Sequence, residues 1–291
     1  MQGVPLPLDR HAPRERRGPT AGKFPPRGGS GPHYAAQPRM TLLLLVLGGF
    51  AAWALSTVAA GGGAILLIPF VSFLVGAQAV APVVTLTSLI GGPARIYVFW
   101  RDVDWRIVRW YLPGAIPGAF LGGWAFSQVQ VGWLQVILGF FLISTVWQYR
   151  FGERERSFRM KLRWFLPLGF GVAFVSGLVG ATGEVLNPFY LNYGATKAGI
   201  VATKTVNSFI MHATKIGTYT LFGALGGQDL LYGVAAGIGA IAASWVGKRW
   251  LERLSSKRFR QLAIAVMTAS GLGLLWDQRA LLVEAWDWLT R

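Results

Sequence analysis

An all-α, polytopic membrane helix bundle of two inverted repeats, with about eight to ten membrane segments including two broken or half helices, is the architecture expected of this 291-residue sequence. Three observations carry the expectation. Hydrophobic residues make up 53% of the chain and charged residues only 14%, with a mean hydropathy of +0.44, a balance that soluble domains do not have. Apolar stretches of about 20 residues, the length that spans a bilayer, follow one another from Leu42 onward. The order of long and short stretches then occurs a second time.

Residues 1–39 stand apart. Pro, Gly and Arg dominate, seven basic side chains face only Asp9 and Glu15, and no hydrophobic period appears, so the segment reads as a disordered basic tail without the apolar core of a secretory signal. Met40 opens the run Met40-Thr41-Leu42-Leu43-Leu44-Leu45 directly, and a native start at Met40 is the alternative to a genuine tail. The first membrane repeat is placed at 40–149, a basic cytoplasmic loop at 150–163, the second repeat at 164–276 and a C-terminal stub at 277–291.

Within the repeats, full-length spans are expected at about 41–60, 79–100, 110–126, 132–149, 164–181, 198–223, 229–247 and 261–276. Two further segments, 64–76 and 184–195, are short. Each follows a glycine-rich break and carries an internal proline, which suits a half-helix or broken span better than a regular crossing. Tryptophans mark the boundaries as an interfacial belt would: Trp100, Trp105 and Trp110 around one loop, Trp124 and Trp133 around another, Trp147 and Trp164 around a third, and Trp245 and Trp250 at a fourth edge.

The repeat is visible residue by residue. Gly61-Gly62-Gly63-Ala64-Ile65-Leu66-Leu67-Ile68-Pro69-Phe70 aligns with Gly180-Ala181-Thr182-Gly183-Glu184-Val185-Leu186-Asn187-Pro188-Phe189 at a shift of 119. Farther on, Ala94-Arg95 falls on Thr214-Lys215, and Gly118, Ala119 and Trp124 fall on Gly239, Ala240 and Trp245. Loop charge sets the orientation. Residues 150–163 hold six basic and two acidic side chains and 248–260 hold six basic and one acidic, so both belong in the cytoplasm; the 101–109 loop is weaker, with Arg101, Arg106 and Arg109 offset by Asp102 and Asp104, but leans the same way. Equivalent loops of the two units carry opposite bias, because 224–229 has no basic residue and 127–131 is uncharged, so the units should be inverted. Counting each broken segment as a crossing puts the C terminus outside.

The chemistry to expect lies at the paired breaks. Glycine runs ahead of a proline free backbone amides and half-helix N termini in low dielectric, where an anion is held well, so Gly61, Gly62, Gly63, Gly180, Thr182 and Gly183 are candidate substrate-binding residues. The plainer reading of a glycine cluster is tight helix packing, but two clusters at matching positions favour the site. Along the following span Lys204, Asn207, Ser208, His212 and Lys215 keep to one face about 140° wide, given ~100° per residue. A face so polar at membrane depth must point inward, to partners or to a water-filled path. Arg95 occupies in the first unit the position of Lys215 in the second, so Arg95, Lys204, Asn207 and Lys215 are candidates to hold an anion, and Glu184 and His212 to couple protons. The structural alternative pairs Glu184 with Lys204 or Lys215 and seats His212 in a hydrogen-bonded slot.

Taken together, Gly61-Gly62-Gly63 with Pro69, the related stretch from Gly180 to Pro188, the repeat of about 120 residues and the basic central loop resemble the TauE/SafE family of sulfite and organosulfonate exporters, over roughly residues 42–276. The resemblance implies an integral membrane protein of the cell (plasma or inner) membrane that moves sulfite, sulfoacetate or a related small oxyanion, with the broken segments along the substrate path. The second unit departs from the usual glycine run: Thr182-Gly183-Glu184 stands there, and a carboxylate beside an anion site repels the anion unless protonated or paired.

The function expected is a secondary transporter exporting a small sulfur-containing anion by alternating access of the two units, with a passive anion channel as the alternative. An intramembrane enzyme is disfavoured, because His212 is the one histidine outside the tail, no HExxH motif occurs and Ser208 has no evident third partner. The phosphate-binding loop of an ATPase is also missing, so a gradient or the membrane potential must drive any transport. No cofactor or metal is expected, and zero Cys excludes thiol chemistry and disulfides. The expected partners are the small anion and membrane lipid. The formal charge of +16 does not point to nucleic acid, because the basic residues cluster in loops and form no stripe interleaved with aromatics.

Overall fold

The computed structural model describes residues 38–58, 63–151, 158–182, 185–250 and 256–290, which all belong to one compact unit. Residues 1–37 of the tail, Gly61, Gly62, Gly183 and Glu184 lie outside the described residues, whereas Pro38 and Arg39, read as the end of the tail, already belong to the first helix. Eleven α-helices and no strand occur among them: α1 (Pro38–Val58), α2 (Gly63–Val75), α3 (Ala77–Phe99), α4 (Trp105–Gln128), α5 (Val131–Phe151), α6 (Phe165–Val179), α7 (Asn187–Tyr193), α8 (Lys197–Leu221), α9 (Gly227–Trp250), α10 (Ser256–Asp277) and α11 (Arg279–Leu289). Seven of them are 21 to 25 residues long, enough to span about 30 Å of hydrocarbon at ~1.5 Å per residue. The stretch Leu162–Val179, which contains α6, qualifies by length and composition together.

Both short segments expected at the glycine breaks are short helices. With 13 and 7 residues, α2 and α7 extend only about 20 and 10 Å. Pro69 sits inside α2, whereas Pro188 opens α7, where its missing N–H is harmless. Gly180 ends α6 at φ 93°, and a Cβ there would meet Ala81 and Val84 of α3 at 3.1 and 3.2 Å, so both conformation and space call for glycine. The C-terminal stub is a helix as well. Leu281 of α11 packs over Gly132 at the start of α5, the Gln278 amide donates to Gln135, and the Arg279 guanidinium lies 5.1 Å from the centre of the Trp276 ring.

The packing crosses between the halves. α1 packs chiefly on α9 and α6 on α4, so each half's first helix finds its main partner in the other half's fourth. The remaining large contacts obey the same exchange: α3 on α9 answers α8 on α4, α3 meets α8, and α5 meets α10. The two main cores follow suit. One joins α1, α2 and α3 to Ala235, Ala236, Ala240 and Ala243 of α9; the other joins α6, α7 and α8 to Ile107, Tyr111, Ala115 and Ala119 of α4.

Small residues make this crossing possible. Cβ atoms placed at Gly114, Gly118 and Gly122 of α4 would run into the carbonyls of Leu166, Phe170 and Phe174 on α6, so the two backbones touch at every turn for three turns. Across the other pair, Gly239 of α9 lies against Val46 and Phe50 of α1, and Gly49 of α1 against Ala236. Gly49 and Phe50 correspond to Gly169 and Phe170, and Gly118 to Gly239, at shifts of 120 and 121. Large apolar side chains face outward instead: Leu43 and Leu47 on α1, Phe120 and Trp124 on α4, Leu231, Val234, Ile238 and Ile241 on α9. An exposed surface of this kind suits lipid and not water.

Candidate functional site

The polar face expected on the second unit's long helix is carried by α8, and it meets the region where α6 stops and α7 begins. Thr196 caps α8 by accepting from the Gly199 N–H at 3.1 Å, which fixes the helix start and hence the register of all that follows. From there Lys204 donates to Asn187 Oδ1 at the first residue of α7, and the Asn207 amide donates to the Tyr190 hydroxyl at 3.0 Å. Two turns farther on, the buried Lys215 ammonium donates to the Ser176 carbonyl, the Ser176 hydroxyl and the Gly180 carbonyl at 3.1, 2.9 and 2.7 Å. Tyr219 donates from the next turn to the Gly177 carbonyl.

This arrangement has an electrostatic reason. Toward its end α6 runs out of amide donors: the Ser176 carbonyl still accepts from the Gly180 N–H at 2.9 Å, but the carbonyls after it have no such partner within the helix, and together they form the negative end of its dipole. Lys215 brings a cation and three donors to that end, so a charge that would be prohibitive in hydrocarbon is surrounded by acceptors. Read from sequence as an anion-holding residue, Lys215 here directs its ammonium to the α6 terminus. His212, one turn earlier, is buried, and its Nδ1 meets no hydrogen-bond partner; the same holds for Asn207 Oδ1. Thr182 is half-buried in the connection between α6 and α7. Gly63 begins α2 in the first half, and Arg95 lies on α3 with its side chain outside the described set.

The structure thus brings Lys204, Asn207, His212 and Lys215 onto one helix, with Lys215 joined to Gly180; Thr182 follows two residues on in the α6–α7 connection. Their partners Ser176, Asn187 and Tyr190, and Tyr219 one turn past Lys215, are not singled out by the sequence. Asn187, polar and next to Pro188 in an apolar segment, is the one available signal; nothing in the sequence sets Tyr190 and Tyr219 apart from other aromatics, and the Tyr190 ring also packs, tilted, 5.2 Å from that of Phe165. Replacing Tyr190 by phenylalanine would keep that ring contact while stripping the Asn207 amide of the Tyr190 hydroxyl. The expected result is a loss of about 1–2 kcal/mol, seen as a melting midpoint a few degrees lower in detergent.

Compared with known proteins, residues 45–274 match the family model described as sulfite exporter TauE/SafE. Neither the curated proteins nor the solved structures give a match. The matched span runs from the first turns of α1 almost to the end of α10 and so takes in both halves of the bundle and every described residue of the α8 site. The chain belongs to the TauE/SafE sulfite exporter family, and is with it a membrane transport protein.

Proposed function

We propose that the chain is a multi-pass protein of the cell membrane that exports a small sulfur-containing anion, sulfite or an organosulfonate such as sulfoacetate, as a secondary transporter. The two halves act as inverted units that rock against each other, so that a site near the middle of the membrane faces each side in turn. The observation that carries the reading is the crossed packing of the halves, with the cationic face of α8 laid against the α6–α7 break. In this reading a two-fold axis relates the crossed pairs and gives the rocking a hinge: the α4–α6 and α1–α9 pairs move as rigid blocks, while the α3–α8 seam opens and closes.

Gly61, Gly62, Gly63, Arg95, Gly180, Thr182, Gly183, Lys204, Asn207 and Lys215 are proposed to surround or position the anion. Glu184 and His212 are proposed to change protonation during the cycle. A potential of 100 mV, negative inside, favours export of a monoanion by about 2.3 kcal/mol, so export needs no coupled ion against modest gradients. In proteoliposomes the purified protein should give saturable sulfite flux that rises when a potential draws the anion across. If sulfite, sulfoacetate, thiosulfate and sulfate all cross no faster than in protein-free liposomes, the transport reading fails.

A further inference from the structure

One stripe of α8 changes character halfway along the helix. At ~100° per residue, Val201, Lys204, Thr205 and Ser208 share an arc of about 100°, and His212, Lys215 and Tyr219 continue the same arc. The first four are half-exposed, whereas the last three are buried. The side of α8 that is open in its second half, at Ala213, Gly217 and Thr220, points roughly 140° away. A stripe facing lipid would stay on the lipid side for the whole helix. This one instead faces α7, because Lys204 reaches Asn187, and closes where Lys215 and Tyr219 reach the end of α6.

The corresponding stripe of the first half is closed. Ala81, Val84, Thr85 and Ser88 of α3 stand at a shift of 120 from Val201, Lys204, Thr205 and Ser208, and all four are buried, none more than 7% exposed. Two halves with equivalent helices and crossed packing therefore differ in access at equivalent positions.

The open end has a recognisable surrounding. The Asp104 N–H, at the end of the α3–α4 connection, donates to Thr203 at 2.9 Å, and the Phe158 N–H, in the connection before α6, donates to Asn192 of α7 at 3.0 Å. Arg101, Arg106, Arg109, Arg159, Lys161 and Arg163 around these two connections are exposed. Against Asp102 and Asp104 on the same α3–α4 connection, these six cations leave the mouth with a net positive charge, which raises the local concentration of anions and repels cations.

We propose that the first half of α8 lines a water-filled crevice that admits small anions from the side of the basic loops as far as Ser208, and that His212, Lys215 and Tyr219 form its closed floor. The crevice is an entry site for small oxyanions, with Lys204 as its charge and the hydroxyls of Thr205 and Ser208 along its wall. By the positive-inside rule that side is the cytoplasm, so the protein stands open to the compartment from which an exporter loads. The proposal deepens the transport reading, but its test needs no transport.

Because the chain has no cysteine, one introduced thiol is unique. Ser208→Cys, Thr205→Cys and Ser88→Cys, each in the full-length protein in vesicles of known sidedness, are treated with two membrane-impermeant thiosulfonates, one carrying a sulfonate and one a quaternary ammonium. From the basic-loop side, both reagents should modify Ser208→Cys and Thr205→Cys roughly tenfold faster than Ser88→Cys. After normalisation to a free thiol, the sulfonate reagent should lead by roughly tenfold, and Lys204→Gln should shrink that lead severalfold. Equal rates at Ser208→Cys and Ser88→Cys, reaction only from the opposite side, or a lead for the cationic reagent would overturn the crevice. Correct labelling in a protein that moves no anion would keep the crevice and remove the transport reading.

Discussion

Gly118→Leu is expected to yield little or no folded protein. The reason is geometric and local: a Cβ at Gly118 would fall within the Phe170 carbonyl, and its neighbours Gly114 and Gly122 stand in the same relation to Leu166 and Phe174. The obstructing atoms are backbone, so no side-chain rotation relieves the clash, and the axes of α4 and α6 would have to separate along their whole contact. Overpacking in a yielding core costs about 1–3 kcal/mol, and this site cannot yield. In a membrane the loss is sharper, because helices gain nothing from leaving lipid and associate through close packing itself. Size-exclusion profiles and melting midpoints in detergent would read the effect. Gly171→Ala and Gly217→Ala are the matched controls: a Cβ at either meets nothing within 4 Å, and each should be neutral or up to about 1 kcal/mol more stable through lower helix-breaking entropy. A wild-type midpoint for Gly118→Leu would mean that α4 and α6 do not touch as described.

Lys215→Met is expected to produce the second large loss. The replacement is close in volume, yet it leaves the Gly180 carbonyl and the Ser176 hydroxyl facing a thioether, while the Ser176 carbonyl keeps only the Gly180 N–H. Each buried group left without its partner costs about 1–3 kcal/mol, so a total of roughly 3 kcal/mol or more is expected even after some relaxation. Lys215→Arg should not restore stability, because a planar fork cannot address three acceptors grouped around a compact ammonium. The measurement is the melting midpoint together with sulfite flux. A variant that melts like the wild type but transports nothing would assign Lys215 to the anion and not to the α6 terminus.

Much of the bundle could be read from the chain because membrane physics writes it in long runs. Spans expected at 79–100 and 198–223 appear as the helices Ala77–Phe99 and Lys197–Leu221, and the paired breaks could be seen because a glycine run ahead of a proline recurs at matching positions of the two halves, whereas Gly91-Gly92-Pro93 stands inside an unbroken α3. The residues from 279 to 289 were harder to read. Their run is short and interrupted by Glu284 and Asp287, so it lacks the length that identifies a span, and the helix is legible only from tertiary contacts such as those of Leu281 with Gly132 and of Gln278 with Gln135. The choice of helix partners is invisible for a different reason: Gly114, Gly118 and Gly122 announce that something approaches closely, but not what. At the site, spacing alone assigned Lys204, Asn207, His212 and Lys215 to one face. Where each head group points depends on register against α6 and α7, and that is why the Lys215 ammonium ends on helix carbonyls.

The crossed pairing also has a consequence for how the molecule comes into being. α1 ends at Val58, but α9, on which it packs, begins only at Gly227, so during synthesis α1 waits in the bilayer with its glycine groove filled by lipid or by a temporary neighbour. α4 is better placed, since α6 follows it closely, and the α4–α6 block can close first and serve as the surface on which the rest is ordered. A chain cut anywhere before α9 therefore does not leave one working half; it leaves an α1 that has lost the helix it was shaped to meet.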